Sequence, residues 1–68
     1  MSFAIVDQTM GTSQVFNAIG NDYIDAKNSI EAMVRQGHTP QVDPITLSKI
    51  ENTVGPLSDE AKRAIRGW

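Results

Sequence analysis

Residues 13–35 read SQVFNAIGNDYIDAKNSIEAMVR, and the spacing of their apolar members decides how the chain is expected to fold. Phe16, Ile19, Tyr23, Ala26, Ile30 and Met33 recur at alternating steps of three and four, which on a helix lines them along one face. At about 100° per residue, Val15 and Val34 fall on the edges of that stripe, while Gln14, Asn17, Asn21, Asp25 and Asn28 fall opposite. The spacing predicts a first helix over residues 13–36. Its end is well marked: Glu31 and Arg35 sit four apart in the favourable order, Gly37 can take the left-handed conformation, and Pro40 prevents continuation. Gly20 in mid-helix costs about 1 kcal/mol relative to Ala.

Outward from that stretch, residues 37–42 read as a turn and residues 43–55 as a second helix. Asp43 supplies an N-cap oxygen, Pro44 suits the first helical position, and Val42 with Leu47 occupy the two places of a hydrophobic staple. Leu47, Ile50, Val54 and Leu57 repeat the spacing of the first helix. Gly55 and Pro56 interrupt the run, and Ser58, Asp59 and Glu60 open a short third helix over residues 58–67 with a cap and two acids at its positive end. Towards the N-terminus, residues 1–12 form a leader that periodicity leaves undecided. Phe3, Ala4, Ile5 and Val6 fit a short strand, a buried leader or a first helical turn equally, since four residues cannot show a period. The fold class expected is therefore all-α, an antiparallel helical hairpin with a short third C-terminal helix, within a single small domain over residues 1–68.

Composition narrows the chemistry. A chain of 68 residues draws only about 3 to 5 kcal/mol from its own core, and with no Cys and a single His it lacks disulfides and the common zinc patterns. Apolar residues make up 40% and charged ones 21%, the balance of a globular chain, and the net charge of −2 neither attracts nor strongly repels polyanions. No run of about 18 apolar residues exists to span a membrane, and MSFAIVDQTM lacks the basic start of a secretory signal. The expected location is cytoplasmic when synthesised, with signal-independent export or incorporation into an assembly left open.

Catalytic motifs are missing. His38 has no nucleophile and orienting carboxylate at a meaningful spacing, Asp22 and Asp25 lack further oxygen ligands, and Gly11 and Gly20 belong to no phosphate-binding loop. No enzyme, cofactor or metal is expected. Lys62, Arg63 and Arg66 form a candidate basic patch, and residues 50–66 resemble a helix-turn-helix in outline, which gives a DNA-binding alternative. Against it, the helix that would enter the groove starts with Ser58, Asp59 and Glu60, two of them repelled by phosphate.

Two helices zipped along matching stripes leave apolar residues uncovered. Phe3, Tyr23, Ile24, Ile45, Ile65 and Trp68 are the candidate protein interface, with Trp68 either a plug in the chain's own groove or an anchor in a neighbour. A short Cys-free chain of two striped helices, joined by a turn flanked by Pro40 and Pro44, resembles in architecture the hairpin subunits that stack into secretion needles; Gly55 and Pro56 depart from that pattern. The function expected is a non-enzymatic interaction or assembly module, possessing itself or one larger protein as partner. A small inhibitor or adaptor of a larger protein is the alternative.

Overall fold

The structure, a computed structural model, describes residues 1–65, and its elements run β1 (Ser2–Asp7), β2 (Thr12–Asn17), α1 (Asn21–Arg35), β3 (Pro40–Gln41), α2 (Pro44–Thr53) and α3 (Asp59–Ala64). The three strands form one antiparallel sheet in the order β2-β1-β3. The architecture is α+β, which corrects the all-α expectation, and no antiparallel helical hairpin is present among the described residues.

The correction begins at Asp7. Its side-chain Oδ1 accepts the amides of Thr9 and Met10, each at 3.0 Å, and so holds the chain in a turn. Gly11, at φ 71°, takes the left-handed conformation that closes the loop, and its amide donates to the Asp7 carbonyl at 2.8 Å. With the turn set, Ser2 pairs with Asn17 and every residue between follows in register to Asp7 with Thr12. Phe3, Ile5 and Asp7 then point to one face of β1, with Phe16 beside Phe3, while Ser2, Ala4 and Val6 point to the other. Residues 12–17 are thus strand where the three-four spacing predicts helix. That spacing counted Ile19 in its stripe, yet Ile19 is 69% exposed.

Helix α1 begins only at Asn21, after Gly20 at φ 42°. Ala26 and Ile30 are its buried positions, with Tyr23, Met33 and Val34 packed partly against the same core. Its end follows the expected chemistry: the Gly37 amide donates to the Val34 carbonyl at 3.0 Å and the His38 amide to the Met33 carbonyl at 2.9 Å, closing the helix over Gly37 at φ 79°. The turn expected at 37–42 contains β3, whose Gln41 and Pro40 pair with Val6 and Asp7.

Asp43 caps α2 by accepting the Thr46 amide at 2.9 Å and the Thr46 hydroxyl at 2.6 Å, with Pro44 in the first helical position. Ser58 caps α3 by accepting the Ala61 amide at 3.2 Å. Glu31 of α1 secures that cap from outside, its carboxylate accepting the Ser58 hydroxyl at 2.6 Å and the Ser58 amide at 2.9 Å. Helices α2 and α3 are separate elements, parted by Gly55 at φ 139° and Pro56. All three helices contribute to one core with the inward face of the hairpin, in which Ile5, Ile30, Leu47, Ile50 and Ile65 are fully or almost fully buried. Among the described residues, the opposite face of the sheet carries no helix.

Candidate functional site

Two features stand out: a polar knot at the head of the hairpin, and an uncovered sheet margin. The knot is centred on Asp7, which is only 7% exposed. While Oδ1 takes the two turn amides, Oδ2 lies 2.7 Å from Nδ1 of His38. An ionised carboxylate only accepts, so Nδ1 carries the proton in this contact. The Thr39 amide donates to Thr9 Oγ1 at 3.0 Å and the Gln8 amide to the Thr39 carbonyl at 2.9 Å, so the hairpin turn and the loop after α1 are tied at three points. No hydroxyl bonds the imidazole among the described residues. The contact fixes the orientation of the imidazole and ties the head of the hairpin to the loop after α1.

Burial alone would raise the Asp7 pKa, but the Met10 amide, the His38 ring and the Thr9 amide together hold it below the usual 3.8. A depressed folded-state pKa contributes stability that is fully present above the unfolded value and is lost as pH falls through the folded one. Asp7→Asn keeps an oxygen for the turn amides and removes the charge. In urea titrations the wild type is expected to be the more stable of the two at pH 7, with the gap closing as pH drops below about 4. A gap that stays constant through that range would show that the charge of Asp7 contributes nothing.

Among the described residues, clefts open on two sides of α3. One, of about 550 Å3, lies between the flanks of β3 and the end of α3, lined by Gln8, Thr39, Pro40, Val42 and Ile65 among others; Asp43, the one ionisable wall residue among the described residues, is engaged by Thr46. The Thr46 hydroxyl and amide hold the Asp43 pKa down. The other, of about 400 Å3, runs between α1 and α3 past Arg35, Arg63, Asp59 and Glu60. Its Glu31 carboxylate is pushed up by burial and down, more strongly in sum, by the Ser58 hydroxyl and amide and by Lys27 and Arg35. The second cleft sets the guanidinium groups of Arg35 and Arg63 beside the carboxylates of Asp59 and Glu60. Among the described residues no group of three or more His, Asp or Glu is placed to hold a metal ion, and no helix is long and apolar enough to cross a membrane.

The candidate interface divides. Ile65 is 1% exposed and belongs to the core, which removes it from any free surface. Phe3 and Tyr23 are half-buried because Phe3 stacks on Phe16 at 5.5 Å and on Tyr23 at 5.6 Å between ring centres, an internal aromatic row. Ile24 on α1 and Ile45 in the first turn of α2 remain exposed, on separate elements. In the basic patch Arg63 is exposed and Lys62 half-buried on α3, a helix of six residues opening with Asp59 and Glu60; Arg66 and Trp68 lie outside the described residues.

The uncovered margin involves residues that helical spacing assigned elsewhere. Val15 is 67% exposed on the helix-free face of β2, opposite Ala4, with exposed Met10 and Ile19 at either end of the strand. The signal for the hairpin was a short alternation in β1, Ser2 and Ala4 exchanging with Phe3 and Ile5, and an Asp and a Gly bracketing three residues at 7–11; β2, with Val15 and Phe16 adjacent, carries none. Comparison with protein-family models, curated proteins and solved structures returned no match.

Proposed function

We propose that this chain is a non-enzymatic protein-interaction module that binds through the exposed margin of its hairpin, strand β2 with Val15 at its centre. The observation that carries the reading is an edge strand of six residues, Thr12–Asn17, with an unshielded apolar side chain and, among the described residues, no strand on its outer side. Such edges accept an additional strand by main-chain hydrogen bonding, and alternate side chains supply selectivity.

Immobilised wild-type chain and immobilised Val15→Lys are the matched baits for native extract. Lysine at the centre of an edge opposes strand addition while leaving the buried face untouched. Proteins held by the wild type are expected to be lost from the variant. Identical retention by both baits would contradict binding through β2.

A further inference from the structure

Building on that reading, we propose that the strand received by β2 is β2 of a second copy, the two running antiparallel about a two-fold axis at Val15 to give a continuous sheet of six strands. Backbone direction is the first ground. In an antiparallel pair, residues alternate between those that exchange both main-chain bonds with the partner and those whose amide and carbonyl point away. At the open end of the hairpin the Ala18 amide donates to the Met1 carbonyl at 3.0 Å, which places Met1 with Ala18 in the bonded set. By register, Phe3 with Phe16 and Ile5 with Gln14 share that set, and Ser13, Val15 and Asn17 aim their main-chain groups outward. On β1 the corresponding outward residues meet β3, where Val6 pairs with Gln41. On β2 they meet no strand among the described residues, where the sheet order ends at β2.

The two edges of the sheet are unlike. β3 has two residues, one of them Pro40, and so offers little to an incoming strand. β2 has six, with neither proline nor charge. Charge is the second ground: it favours an uncharged strand, such as β2 of a second copy, over a charged one. Residues 8–21 contain no Asp, Glu, Lys or Arg, although the chain holds 8 acidic and 6 basic residues. A charged partner finds nothing on this margin to pair with, whereas two copies of it meet without opposed like charges.

Register is the third ground. A two-fold axis perpendicular to the sheet pairs only residues of the same face, so Val15 meets its own symmetry mate and Ser13 meets Asn17. Outward groups then oppose outward groups along the whole edge. The Asn17 carbonyl already accepts the Ile19 amide at 2.9 Å and retains a second lone pair for the new strand. Two exposed valines cover one another at the axis, and the helices of both copies remain on one side of the sheet.

Sedimentation equilibrium of the purified chain over about a hundredfold range of concentration, alongside Val15→Pro, tests this. Proline at 15 deletes an outward amide and no bond of the β1–β2 ladder, so the monomer keeps its fold by circular dichroism. The wild type is expected to dimerise, with the Val15 amide gaining protection from hydrogen exchange as dimer forms, and Val15→Pro to weaken the dimer by roughly tenfold or more. Should Val15→Pro fail to fold, Val15→Lys keeps the backbone amide and sets two cations face to face at the axis, and the same weakening is expected. A monomeric wild type, or a dimer indifferent to both substitutions, overturns self-pairing. If the monomeric chain still captures proteins that Val15→Lys loses, the interaction reading stands without the second copy; if capture is also indifferent to Val15→Lys, both fall.

Discussion

Ile5→Ala is expected to cost about 2 to 5 kcal/mol, because a fully buried isoleucine on β1 leaves both lost transfer energy and a cavity between the sheet and the helices. For 68 residues the whole folding free energy is only about 3 to 10 kcal/mol. One truncation near the N-terminus therefore consumes a large fraction of the stability. Val15→Ala, on the helix-free face, is the control and is expected to change stability by less than about 0.5 kcal/mol at monomeric concentrations. Urea unfolding of both variants checks the pair. Equal, mild effects would mean that residues 2–7 hang outside the core as a leader.

Ile30→Asp is expected to abolish cooperative unfolding altogether. Ile30 is completely buried on α1, in the cluster that joins Ile5 and Phe16 of the hairpin to Leu47 and Ile50 of α2. No cation lies within that apolar cluster, so an aspartate there is either desolvated without a partner or protonated at a cost. Either penalty, added to the lost packing, rivals the total stability of so small a chain. Ile24→Asp, six residues earlier on the exposed side of the same helix, is expected to fold normally. A native-like melting transition in Ile30→Asp would contradict the position given to α1.

The contrast between these two sites shows which parts of the fold were legible in the residues. Helix ends marked by local chemistry could be read directly: Asp43 before Pro44, Ser58 before two acids, and Gly37 after Arg35 all act as caps in the structure. Caps are visible in sequence because their partners lie within four residues. The hairpin was obscured because Phe16 and Ile19 prolong the three-four spacing of α1 by chance, so one period overran two elements. What decides the strands is the Asp7 carboxylate gathering turn amides, with Gly11 completing the loop, and pairing between residues 2 and 17 that no single-strand period records. Of the interface expected from sequence, Ile24 and Ile45 are exposed, whereas Ile65 went inward because α3 folds back onto the core. Val15 was read as the rim of a helical stripe; as a strand residue two positions from Ser13 and Asn17 it becomes the centre of the free edge.

The hairpin is the claim on which the remainder rests, and proton NMR of the monomer tests it at its least ambiguous point. Non-bonded pairs of an antiparallel ladder bring their α-protons close together, so strong cross-peaks are expected between the α-protons of Ala4 and Val15 and of Val6 and Ser13. A run of sequential amide-to-amide cross-peaks through residues 13–20, with those α-proton contacts absent, would instead restore a helix there and contradict the sheet.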